Sequence, residues 1–86
     1  MKVSKRDGRL QNFDLSKIKT SIDRASFDAG QPLNVSDIKN LAKDIEIGIK
    51  NLQKDIIDSD VIQSLVLSEL EKAGFHLVAK YYNQGK

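Results

Sequence analysis

Apolar residues change their spacing once along this chain, near Leu15, and that change restricts the fold more than any other feature of the sequence. Upstream, between Lys2 and Phe13, they are sparse, and Asp7-Gly8 lies between two short segments, the local signal of a two-residue type I′ hairpin turn. Strands are expected at about 2–6 and 9–13. Such a loop sets Arg6 opposite Arg9, Lys5 opposite Leu10, Ser4 opposite Gln11 and Lys2 opposite Phe13. Facing arginines repel mildly, a conflict that a bound anion relieves.

Downstream the period is helical. Ile18, Ile22, Ala25 and Ala29 recur at intervals of four, three and four, with Ser16 as N-cap and Gly30-Gln31-Pro32 as a stop, which predicts a helix over about 17–29. Ser36 is the expected cap of a second, about 37–52, whose stripe is Ile38, Leu41, Ala42, Ile45, Ile49 and Leu52. A third, about 60–73, starts after Ser59, turns Ile62, Leu65, Val66, Leu70 and Ala73 inward and ends at Gly74. Phe75, Val78, Ala79 and Tyr82 fit a fourth over about 75–84. The expected fold is mainly α with a small β-hairpin: an N-terminal antiparallel hairpin packed on a four-helix bundle, as one domain over residues 1–86. A hairpin alone is marginal in water, so Val3, Leu10 and Phe13 are expected to dock on the helices, leaving room for a flat ligand between strand and helix.

Composition narrows the function. With 40% apolar and 30% charged residues the chain reads as globular, not disordered or collagenous. No apolar run approaches a membrane span, and Met1-Lys2-Val3-Ser4-Lys5-Arg6 leads into no apolar signal region, so a cytoplasmic protein with no membrane partner is expected. The absence of cysteine removes disulfides, thiolate catalysis and zinc ribbons, and His76 has no second imidazole beside it. Neither a metal-centred mechanism nor enzymatic activity is expected. The clustered Asp55, Asp58 and Asp60 are explained by the helix start they precede, where acidic groups offset the dipole, and His76 reads as a surface or boundary residue without a carboxylate partner.

The overall charge of +2 conceals an asymmetry. Residues 1–24 carry seven basic side chains against three acidic ones, whereas the remainder is net −2. A positive end on a mildly acidic body points to an anion bound locally. No glycine-rich phosphate loop is present, so phosphates fall to side chains, with Lys5, Arg6 and Lys17 as candidates. Nucleic acid is not the expected partner. The second and third helices could imitate a helix-turn-helix, but their connection from Gln53 to Asp58 is long, and Asp60 to Glu71 contains no Lys or Arg.

Two segments resemble a known family. Val3-Ser4-Lys5-Arg6-Asp7-Gly8, followed at the family's spacing by Phe13-Asp14-Leu15-Ser16-Lys17-Ile18, is similar to the opening of ATP-cone domains. Ile57-Asp58-Ser59-Asp60-Val61-Ile62 and Gly74-Phe75-His76-Leu77-Val78-Ala79-Lys80-Tyr81-Tyr82 are similar to that family's third-helix start and closing pattern. The resemblance implies a regulatory site for ATP or dATP as effector, with Mg2+ as companion ion, as in the activity-control domain of ribonucleotide reductases and in a repressor of reductase genes. It implies that Val3 and Ile18 contact adenine, that Lys5, Arg6 and Lys17 hold phosphates, and that Gln11 and Asp14 give polar contacts to base or sugar. Asp58 and Ile62 fall where the family has polar groups near the nucleotide, and both depart from that pattern. For the family's further basic group late in the last helix, only Lys86 is near. Partners implied are a reductase subunit or a second copy of the chain. Without cysteine the chain lacks the zinc ribbon of the full repressor. The alternative is a helical protein-interaction or nucleic-acid-associated domain with a degenerate nucleotide site.

Overall fold

A computed structural model describes residues Met1 to Gln84, so Lys86 lies outside the described residues. Two strands, β1 (Lys2–Ser4) and β2 (Leu10–Asn12), precede the helices α1 (Leu15–Asp28) and α2 (Val35–Asn51). A third strand, β3 (Ile56–Asp58), leads into α3 (Ser59–Lys72) and α4 (His76–Gln84). The chain is mostly helical, with a small sheet at its N-terminal end.

β1 and β2 pair antiparallel, but one residue away from the expected register: Lys2 faces Asn12, Val3 faces Gln11 and Ser4 faces Leu10. The loop has three residues, Arg6 to Gly8, not two. Lys5 closes it on both sides, its N–H donating to the Arg9 carbonyl at 2.8 Å and its carbonyl accepting from Gly8 N–H at 3.0 Å. Gly8 takes φ of +87°, the left-handed residue that ends a three-residue hairpin loop. The Asp7 carboxylate accepts from Arg9 N–H at 3.1 Å, an Asx contact that stabilises the longer loop. Arg6 therefore stands on the turn and does not face Arg9.

The sheet also has a third strand, within the segment where the sequence pattern predicts only a connection. β3 runs parallel to β1, with Val3 opposite Ile57 and Ser4 opposite Asp58, giving the order β2-β1-β3. Ile57 is buried, while Ile56 and Asp58 point outward.

The first two helices begin earlier than the serines expected to cap them. Asp14, not Ser16, caps α1, its carboxylate accepting from Ser16 N–H at 3.0 Å. Asn34, not Ser36, caps α2 through a reciprocal box with Asp37: Asn34 Oδ1 accepts from Asp37 N–H at 2.8 Å and Asp37 Oδ2 from Asn34 N–H at 3.3 Å. α3 starts at Ser59, with Asp58 in the cap position. At its other end Gly74, at φ +86°, completes a Schellman closure in which Phe75 N–H donates to the Leu70 carbonyl at 2.9 Å and Gly74 N–H to Glu71 at 3.0 Å.

α1 packs against α2 and α4, and α3 against the same two, so the four helices surround one core. Ile22, Ile45, Ile49, Val66, Leu70 and Val78 are its fully buried members. Val3 and Ile57 join it from the sheet, with Phe13 half-buried against it. Leu10, at 55% exposure, does not dock: with Val3 and Ile57 facing inward, it lies on the outer face of the sheet beside Ser4. Leu52 and Ala73 are likewise exposed, because each follows the last regular turn of its helix. No helix among the described residues is long and apolar enough to cross a membrane.

Candidate functional site

Between the hairpin and helices α1, α3 and α4 lies a cavity of about 230 Å³. β1 and β2 supply Val3, Lys5, Gln11 and Asn12, and the chain running into α1 supplies Phe13, Asp14, Lys17, Ile18 and Ser21. α3 contributes Ser59, Ile62 and Gln63, and α4 contributes Tyr82. A second cavity of about 380 Å³ opens at the hairpin tip among Arg6, Asp7, Arg9, Asp60 and Asn83. Lys5, Ser59 and Gln63 line both, so the two adjoin and are described together as one cleft.

One end of this cleft holds an apolar patch, and the other gathers charged side chains of both signs. Val3, Ile18 and Ile62, all buried members of the core, come from three different elements and converge on the first cavity. Lys5 and Lys17 stand on its rim. Beyond them, both guanidiniums at the tip are paired with carboxylates: Arg6 Nη2 lies 3.1 Å from Asp60 Oδ1, and Arg9 Nε lies 2.6 Å from Asp7 Oδ2.

Gln63 stands where the two cavities meet, and its amide nitrogen and oxygen are both buried without a hydrogen-bond partner. A buried amide left unpaired costs about 1–3 kcal/mol, which a ligand offering both a donor and an acceptor would recover. Tyr82 closes the far wall, and burial raises its phenol above the ordinary value of 10.0, so it stays protonated near neutral pH.

Seven of the nine residues expected at a site, namely Val3, Lys5, Gln11, Asp14, Lys17, Ile18 and Ile62, line the first cavity. Arg6 lines the second. Asp58 lines neither: it ends β3 opposite Ser4 and is exposed. The polar groups that α3 brings to the first cavity are Ser59 and Gln63, each one residue beyond the expected position. With Ile62 they fall at i, i+3 and i+4 of a helix that starts at Ser59, one face by helical geometry. That spacing is legible in the sequence once Ser59 is placed inside the helix and not before it. Asn12 and Ser21 carry no signal of their own in the sequence, and Phe13 and Tyr82 read there as packing residues; tertiary packing brings all four to the cleft.

His76 does have a carboxylate partner, Glu71, whose Oε2 meets its Nδ1 across the closure between α3 and α4. This pair lies away from the cleft. Among the described residues no group of three or more His, Cys, Asp or Glu side chains could hold a metal ion.

A family model described as the ATP cone domain matches residues 1–84. The transcriptional repressor NrdR of Natronomonas pharaonis is 33% identical to the chain over 70 residues, which are 81% of this chain and 42% of that protein. The chain thus spans less than half the length of this relative. Similarity to a protein named as a transcriptional repressor gives no support to the expectation that nucleic acid is not a partner. The chain belongs to the ATP-cone domain family, whose members are nucleotide-binding regulatory modules.

Proposed function

We propose that the cleft is an allosteric site for ATP or dATP, and that the chain reports nucleotide state to a larger protein or assembly. The observation that carries this reading is the unpaired Gln63 amide, which lines both the cavity that holds the Val3, Ile18 and Ile62 patch and the one lined by Lys5, Arg6 and Arg9. Adenine is accommodated between Val3, Ile18 and Ile62, where it gains apolar burial. The phosphate chain runs toward Lys5, Lys17 and Arg6, carrying Mg2+ with it. The sugar then lies at the junction, opposite Gln63 and Ser59, with Gln11 and Asp14 on the opposing edge. ATP and dATP differ by a 2′-hydroxyl, which offers one donor and accepts in return, so a site with an unmet amide at the sugar distinguishes them. The partner that reads the difference is a reductase subunit or a second copy of the chain, and a coupling of about 1–3 kcal/mol suffices for switching.

A second reading follows from the 33% identity to a transcriptional repressor. In it the nucleotide controls a nucleic-acid-binding part of a longer regulator, through the same cleft.

Calorimetric titration with ATP and dATP tests the site. Binding is expected, with amide shifts concentrated in residues 3–18 and at the start of α3. Combined Lys5→Ala and Arg6→Ala substitution is expected to abolish it with helicity unchanged. No heat at millimolar nucleotide rejects the proposal, and unchanged affinity in the double variant places the phosphates elsewhere.

A further inference from the structure

The Arg6–Asp60 ion pair is, among the described residues, the one that joins the hairpin to a helix. Both Nε, at 3.2 Å, and Nη2, at 3.1 Å, donate to a single oxygen, Asp60 Oδ1. The second cavity is lined by both partners and by Lys5 and Gln63, which also line the first. We propose that Asp60 competes with ligand phosphates for Arg6, so that a polyphosphate chain reaching the hairpin tip takes the guanidinium over and releases the turn from the first turn of α3. This inference rests on the nucleotide reading of the cleft.

The competition is weighted toward the ligand. The side chains of Arg6 and Asp60 are 82% and 65% exposed, and exposed ion pairs are weak and screened by salt. A triphosphate carries several negative charges and offers the planar guanidinium two oxygens, where Asp60 engages it through one. The Arg9–Asp7 pair behaves differently: its members are two residues apart on the same turn, so it travels with the hairpin. Asp60 therefore lowers affinity only for anions long enough to reach Arg6, which makes it a specificity-determining residue for phosphate-chain length. Exchange of Arg6 also supplies a movement, since the turn and the start of α3 lose their ionic tie as ligand binds.

The test follows the Arg6 Nε–H resonance by NMR in the wild-type chain and in Asp60→Asn, with affinities for ATP and AMP measured alongside in both and in Arg6→Ala with and without Asp60→Asn. Asp60→Asn is expected to move the resonance without ligand, and both ATP and inorganic tripolyphosphate are expected to move it in the wild type. ATP affinity should rise roughly two- to fivefold in Asp60→Asn, the equivalent of one exposed ion pair, with AMP unaffected and no gain in the Arg6→Ala background. An ATP-bound wild type whose Arg6 resonance is unmoved overturns the exchange while leaving the nucleotide site intact. So does an Asp60→Asn gain that is absent, or equal in size for AMP or without Arg6, because Asp60 then acts only by its charge. A wild type that ignores ATP yet shifts Arg6 with tripolyphosphate rejects the nucleotide reading and retains the exchange; silence to both rejects the exchange.

Discussion

Gln63 carries a group that the fold does not use. Its amide is buried at the junction of the two cavities, with neither nitrogen nor oxygen paired. For stability alone, an apolar side chain of similar length is the better choice there. Gln63→Leu is expected to raise folding stability by up to about 1–3 kcal/mol, read from urea unfolding, while weakening ATP binding at least severalfold. A loss of stability instead means that the amide is satisfied within the fold, and the argument for a ligand at this point fails. The motif residues around it were readable because they occur close together in sequence: Val3, Lys5, Gln11, Asp14, Lys17 and Ile18 all line the same cavity. Gln63 lies outside the two positions that the family resemblance marks here, Asp58 and Ile62, whereas a helix that begins at Ser59 turns Ser59, Ile62 and Gln63 to one side.

At the level of elements, the helices and the hairpin are legible in the sequence, and the third strand is not. A helix buries a stripe that repeats within its own residues, so α1 to α4 can each be found without reference to the others. Their first turns came out displaced because Asp14 and Asn34, standing upstream of Ser16 and Ser36, win the competition for the exposed N–H groups. β3 has three residues, and its partner β1 is more than fifty positions away, so no local period announces it. The hairpin register slipped for a related reason: Asp7-Gly8 specifies a turn, but whether two or three residues close it depends on the left-handed Gly8 and the Asp7 contact to Arg9. Gly74 is the element-scale device on which the cleft depends most directly, because its closure turns the chain into α4 and thereby presents Tyr82. At φ +86° an added Cβ meets nothing within 4 Å, so the penalty of Gly74→Ala is purely backbone strain. About 1–2 kcal/mol of stability is expected to be lost in urea unfolding, together with weaker nucleotide binding as Tyr82 shifts. Unchanged stability contradicts the left-handed closure.

The whole molecule is organised so that the cleft draws on both ends of the chain: β1 and β2 form one wall, and Tyr82 of α4 another. Burial of Tyr82 ties the cleft to global stability. Its raised folded-state pKa means that the neutral phenol is preferred in the folded chain, so the associated stability is fully present below the ordinary value of 10.0 and is lost as pH rises through the raised one. Urea midpoints between pH 8 and pH 11 are expected to fall more steeply for the wild type than for Tyr82→Phe, which has no proton to lose; parallel profiles contradict the burial. The sequence by itself determined a helical chain with a basic hairpin, because charge, turn chemistry and helical period are properties of neighbouring residues, and its family resemblance named Val3, Ile18 and Ile62, which line the first cavity. Only the tertiary structure decided that β3 docks beside β1, that Ser59 and Gln63 enter the cleft in place of Asp58, and that Arg6 is held by Asp60. Each of those depends on groups far apart in sequence meeting in space, a relation that no local pattern encodes.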